Sequence, residues 1–330
     1  MKPLYAPFVL SALVVSANAQ DATAPLTLAN TIPLEKVEGR IDHMAADVSG
    51  QRLFVAALGN NTVEVLDLKA GKTIQSFPGF AEPQGIAYVP ELDRVFVANG
   101  QDGTCRILDG HSFKTITSVQ CGEDADNVRY DETAKRVYVG YGDGALATLD
   151  PKTGAKLADI RLAGHPESFR LETGGPRIFV NVPKAGHIAV IDREKGTVTE
   201  TWPLKAAAAN FPLILDEANH RLFAGCRKPP KLLIFDTSAP GGRLVTTAAI
   251  SSDTDDLFFD VRNKLIYVSC GQGVIDIIKQ TSADAYEKLE AIPTPAGART
   301  SLFVPELKMF CLAVPHRAVQ SAEIRIFKTK

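Results

Sequence analysis

The sequence predicts an all-β fold: a seven-bladed β-propeller of four-stranded blades, closed by an N-terminal strand that completes the last blade. Three observations carry this. A run such as RLFVAALGNNTVEVLDLKAGK returns seven times, starting at Arg52, Arg94, Arg136, Arg177, Arg221, Leu265 and Met309, at spacings of 41 to 44 residues. Fixed periods of that length mark stacked supersecondary units. Each copy is a chain of short alternating apolar and polar runs separated by Gly- or Pro-containing turns, with no helical period, which reads as four strands. The last copy stops one strand short, at AEIRIFKTK, while LTLANTIPL at residues 26–34 is a strand to spare.

The elements follow in order. The opening MKPLYAPFVLSALVVSANAQ carries one lysine, an apolar stretch to Val15 and the small-residue sequence Ala17-Asn18-Ala19. This has the form of a secretory leader cleaved after Ala19, and the apolar run is shorter than the roughly 20 residues a membrane span needs. The expected organisation is therefore a leader at 1–19 and one propeller domain at 20–330, exported to the periplasm or beyond and with no stable membrane insertion. Residues 26–34 come next. Ile32 precedes Asp42 by the same ten residues that separate Ile74 from Gln84, so this segment has the register of an outer strand. Donated to the last blade, it removes an exposed edge.

Composition bounds the function. The chain has 330 residues, 45% of them hydrophobic, with a formal net charge of −2, which gives no overall attraction to nucleic acid or to an anionic membrane. No aromatic stacking platform is evident, and a nucleic-acid partner is not expected. The five cysteines contain no C-x-x-C pair and no haem-attachment motif. Cys105 and Cys121 fall on neighbouring strands with an inferred offset of about three residues, too far for an unstrained disulfide.

The segments Phe96-Val97-Ala98-Asn99 and Tyr138-Val139-Gly140, with the turn Asp150-Pro151-Lys152-Thr153-Gly154, resemble the core and the D-x-x-T-G turn of YVTN-type repeats. The mature chain as a whole is similar to the YncE-like exported propellers. That resemblance implies architecture and export. It implies less about activity, because the matching residues are core and turn residues and such folds host different functions. The last three copies depart most, at Cys226, Cys270 and Pro315.

Aligning the copies places one residue of each blade at the channel entry: Asp42, Gln84, Asp126, Glu167, Phe211, Asp255 and Arg299. Two residues earlier, on the same side of an extended strand, stand Arg40, Glu82, Asp124, His165, Ala209, Asp253 and Gly297. Seven acids thus converge on one mouth, with His43, Asn127, Asn210 and Asp256 beside them. Crowded carboxylates raise one another's pKa unless cations intervene, so the ring implies a bound cation, a cationic ligand, or pairing with Arg40 and Arg299. Basic residues on the loops joining second and third strands, Lys184, Arg227, His316 and Arg317 among them, form a sector of the rim suited to an anionic group.

Two functions are consistent with this. In the first, the mouth binds a small molecule, a metal ion or a protein segment, through Asp42, His43, Glu82, Asp124, Asp126, His165, Glu167, Arg299, His316 and Arg317, and the protein works as a monomer. In the second, Glu167, Asn127, Asn210 and Asp255 hold a divalent cation such as Ca2+, and Asp255 activates water in a lactonase-like hydrolysis. Seven blades and different repeats depart from the propeller lactonases, so that family's residue roles are not carried over.

Overall fold

A computed structural model describes residues 24–330. The leader expected at 1–19 lies outside them. Among the described residues no helix is long and apolar enough to cross a membrane.

Seven antiparallel sheets follow the seven repeats, each ordered from the channel outward. The third blade shows the pattern: Val128–Asp131 along the channel, then Arg136–Tyr141, Ala145–Leu149 and Lys156–Arg161 at the rim. Its second strand reads VYVGY and is buried throughout after Arg136, because both faces are covered by neighbouring blades. The outer strand is mostly exposed, with Ile160 alone buried. In the sixth blade the outer strand is split into Tyr286–Lys288 and Ile292–Pro293, both paired with Val274–Gln280.

Closure follows the expected route. Leu26–Pro33 pairs antiparallel with Glu323–Thr329, from Leu26 opposite Thr329 to Pro33 opposite Glu323. Leu26 and Ile32 are fully buried there. Ile32 packs with Leu53 and Val55 of the first blade and Ala313 and Ile324 of the last, so the closing strand belongs to the core on both sides of the seam.

The arginine that begins most repeats has a structural task. Arg52 donates to the Gly110 carbonyl, Arg94 to that of Pro151, Arg177 to that of Thr237, and Arg221 to that of Ala283 and the Asp284 carboxylate. Each acceptor lies in the turn before the outer strand of the next blade, so a guanidinium clasps blade to blade. Between the third and fourth blades the clasp is reversed: Arg136 donates to its neighbour Lys135, and Arg193 of the fourth blade reaches back to Asp131. A cleft of 890 Å3 opens at this interface, lined by Arg136, Leu157, Ile160, Pro176 and Arg193 among others.

The Asp150 turn is equally local. Its carboxylate accepts from the Lys152 and Thr153 backbone N–H groups and from the Thr153 hydroxyl, and Gly154 follows with φ +76°. All five cysteines are buried free thiols. Cys105 stands opposite Val119, which corrects the inferred offset from Cys121 to two positions.

Candidate functional site

The seven entry residues meet. Asp42, Gln84, Asp126, Glu167, Phe211, Asp255 and Arg299 all line one 370 Å3 cavity at the channel mouth, joined by Arg40, His43, Asp124, His165, Lys184 and Arg227. This cavity is smaller than the cleft between the third and fourth blades, but five carboxyl groups and two histidines converge on it where the cleft has one carboxylate and no histidine, which makes it the better candidate for chemistry.

The outer ring is built differently from the expectation. Glu82, Asp124, Ala209 and Asp253 adopt left-handed φ values of 52° to 59°, and Gly297 has φ +88°. The chain turns sharply two residues before the entry and is not extended there, so side-chain parity does not carry across. Glu82 is exposed and lines no part of the cavity, whereas Arg40, Asp124 and His165 do line it. Asp253 lies on the wall of an adjoining 300 Å3 cavity that shares Arg40 and Arg299 with the first and contains His316 and Arg317. His316 Nδ1 is 2.7 Å from the Glu38 carboxylate.

What the acids hold is largely the protein's own cations. His43 sits 3.8 Å from Asp42, 3.9 Å from Asp126 and 3.8 Å from Asp256. Burial opposes its protonation, but the Asp256 carboxylate, then Asp42 and Asp126, override it and push the imidazole up to about 10. His43 is therefore an imidazolium at neutral pH. His165 lies 4.0 Å from Asp126 and 3.6 Å from Asp124, and its Nδ1 contacts the Gly142 carbonyl at 2.8 Å. Burial again works against the charge, and Asp126 leads the groups that raise it to about 9. On the opposite wall Asp255 is held by Arg227 at 2.5 Å and Arg299 at 2.8 Å, and Arg299 also reaches Asp253 at 2.8 Å. Burial raises the Asp255 carboxyl despite both guanidinia. Arg227 is stacked on Phe211, 3.5 Å from the ring centroid.

Three acids carry different loads. Asp42 is raised to about 6, first by burial, against the pull of His43. Burial also works to raise Asp126, but the two histidines outweigh it and its pKa is lowered. Its Oδ1 is buried and accepts no hydrogen bond. Glu167 is pushed up to about 8 by burial and by the charge of Asp126, and among the described residues no group donates a hydrogen bond or forms an ion pair with it. It keeps its proton at neutral pH.

The proposed metal ligands are not brought together. Asn210 donates to Asn181 Oδ1 at 2.7 Å and to the His187 carbonyl at 3.2 Å, while Asn181 donates to the carbonyls of Phe211 and Pro212. These amides pin the entry of the fifth blade onto the fourth. Asn127 is buried and accepts from Arg129 at 3.0 Å. Neither asparagine lines the cavity, which leaves Glu167 and Asp255 alone of the expected set of four. Among the described residues no three His, Cys, Asp or Glu side chains are grouped to hold a metal ion. A divalent cation does not fit the donors, since an imidazolium already occupies the space between Asp42, Asp126 and Asp256 and two guanidinia flank Asp255. The same pairing removes Asp255 from the position of a free general base.

Gly85 fixes how closely the second blade approaches this centre. A Cβ there would lie 2.0 Å from the Asp126 carbonyl oxygen and 2.9 Å from the Val128 nitrogen. Both are backbone atoms and cannot rotate away. Gly85→Ala should therefore cost about 2 kcal/mol or more by overpacking, read as a lowered urea midpoint at unchanged slope. Wild-type stability in that variant would mean the blades can separate freely at the mouth.

Sequence comparison identifies no relative: no family model matches the chain and no curated protein does. Structural comparison does. A chain of the crystal structure of the mitotic checkpoint complex superposes with TM-score 0.78 at 13% identity, over 98% of this chain and 99% of that one. Hydrazine synthase of Kuenenia stuttgartiensis gives TM-score 0.75 at 15% identity, over 89% of this chain and 97% of that one. Likeness at such identities is a likeness of fold, and it agrees with the blade count in making this chain a seven-bladed β-propeller.

Proposed function

We propose that this chain is a binding module whose channel mouth receives a small polar ligand rich in hydrogen-bond donors, such as an amine or a polyhydroxylated molecule. The observation that supports this reading is a pair of groups without hydrogen-bond partners in a 370 Å3 cavity: the buried Asp126 Oδ1, whose nearest cation is His43 at 3.9 Å, and the protonated Glu167. An unpartnered buried acceptor costs about 1–3 kcal/mol, which a ligand N–H or O–H would recover. Glu167 offers a donor and an acceptor together, and the guanidinium stacked on Phe211 supplies a flat wall. A thermal-shift screen of amines, sugars and zwitterions tests this. Ligands found should bind at least about 10-fold more weakly to Asp126→Asn and to Glu167→Gln. Their affinity should change as pH rises through about 8, where Glu167 ionises. Hits that bind both variants normally would move the site elsewhere.

Membership of the exported YVTN-type propellers belongs to the same proposal. Its support is the Phe96–Asn99 and Tyr138–Gly140 cores, the Asp150–Gly154 turn, and the leader-like residues 1–19. Mass spectrometry of the protein from its native host should find a mature chain beginning at Gln20. An intact Met1 terminus would remove the export reading.

A further inference from the structure

Below the acids, the channel carries the opposite charge. Counting from each entry residue, the second position along the inner strand is buried in every blade, from Met44 to Ser301, while the third is only partly buried in six blades. Five blades place an apolar side chain at that third position: Ala45, Ala87, Ile214, Phe258 and Leu302. The two adjacent remaining blades place Arg129 and Arg170 there, roughly 10 Å down the strand from the entry.

Neither guanidinium has a carboxylate within ion-pairing distance among the described residues. Arg129 donates to the Val128 carbonyl at 2.8 Å and to Asn127 Oδ1 at 3.0 Å, lies 5.6 Å from the centroid of the Phe169 ring, and has a buried Nε with no partner. Arg170 uses Nε on the Leu213 carbonyl at 2.6 Å, which leaves its two terminal nitrogens without a protein acceptor. The two charges repel: burial first, then Arg129, brings Arg170 down to about 9, and Asp256 only partly compensates. Asp256 is already committed, accepting from the Ser301 N–H at 2.8 Å and facing His43 at 3.8 Å. Asp126, the other acid that acts on Arg129, is shared between two histidines. Two lumen-facing guanidinia, with donors to spare and an apolar ring around them, form a receptor for negative charge.

We propose that the channel holds one compact anion, a halide or the head group of a small oxyanion, between Arg129 and Arg170. This proposal does not rest on ligand binding at the mouth. Its test is thermal melting of the full mature protein in sodium gluconate, a bulky control, against chloride, acetate and phosphate at matched ionic strength. At least one compact anion should raise Tm saturably by roughly 3 °C or more, and the three arms separate a halide from a carboxylate or phosphate head. In the Arg129→Met/Arg170→Met double variant the shift should vanish, while the Arg227 and Arg299 sector at the mouth is untouched. If that variant does not fold, bromide-soaked crystals of the wild type should show an anomalous peak between the two guanidinia. No compact-anion effect beyond gluconate, a shift that persists in the folded double variant, or bromide absent from that position would overturn the proposal.

Discussion

His43→Gln should cost the folded protein about 3–5 kcal/mol near pH 6, the scale for removing one partner of a buried ion pair. Among the described residues His43 is the one cation in contact with Asp42, Asp126 and Asp256 together, and its side chain is only 14% exposed. Without the imidazolium, three carboxylates face one another across the channel, with Arg40 beside Asp42, His165 beside Asp126, and the more distant Arg129 and Arg170 to offset them. The cost should also depend on pH. The folded value of about 10 lies above the ordinary imidazole value of 6.5, so the stabilisation is complete below about pH 6.5 and is lost as pH rises toward 10. His165, raised to about 9, contributes with the same sign over a narrower window. Asp42 and Glu167, raised to about 6 and 8, likewise favour their protonated forms and lose stability as pH rises above the ordinary carboxyl range. Asp126, whose pKa is lowered, runs the other way and protects only while pH stays above its folded pKa. Urea unfolding should therefore show the wild type weakening steeply between pH 6.5 and 10 and the variant following a much flatter line. Equal wild-type stability at pH 6 and pH 10 would mean that His43 is not charged in the fold.

A chain starting at Leu34, lacking the closing strand, should fail to unfold cooperatively and should self-associate. The loss exposes the Glu323–Thr329 edge along its whole length and removes two fully buried side chains, Leu26 and Ile32, from cores on either side of the seam. Ile32→Ala gives a graded version in an intact chain. Its cost should be about 2–5 kcal/mol, the range for buried Leu or Ile truncations, with the magnitude set by how far the seam can collapse. Chemical unfolding measures the second change and size-exclusion chromatography the first. A truncated chain that stays monomeric with an unchanged melting temperature would show that the seventh blade closes without its fourth strand.

The propeller was legible because repetition averages over local ambiguity: seven imperfect copies specify four strands that no single copy would. The entry positions were legible for the same reason, since a two-residue side-chain period holds along a strand once its start is aligned. It failed one turn earlier. Glu82, Asp124, Ala209 and Asp253 take left-handed backbone conformations that the side chains of Glu82 and Ala209 do not favour, so the sequence does not tell that Asp124 lines the cavity and Glu82 does not. Residue type draws Asn127 and Asn210 toward metal chemistry, but Asn210 binds Asn181 and the His187 carbonyl across the blade interface, and Asn127 accepts from Arg129 within its own blade. His43 was named as one mouth residue among many. That it is the common neighbour of three acids depends on distances across the ring, which the order of residues along the chain does not contain. The lumen arginines did leave a signal, two cations in a column otherwise apolar, three positions past the aligned entry.

The pairing of Leu26 with Thr329 joins nearly the two ends of the molecule. A contact of such sequence separation carries the largest loop-closure cost in the chain and cannot nucleate folding. The first six blades can assemble in order during synthesis, but the seventh must wait for the final residues to emerge. Until then the earliest strand made has no sheet to join. The ring is thus a clasp that fastens only once Glu323–Thr329 has been made, and removing residues from either of these two strands acts on ring closure as well as on the final stability.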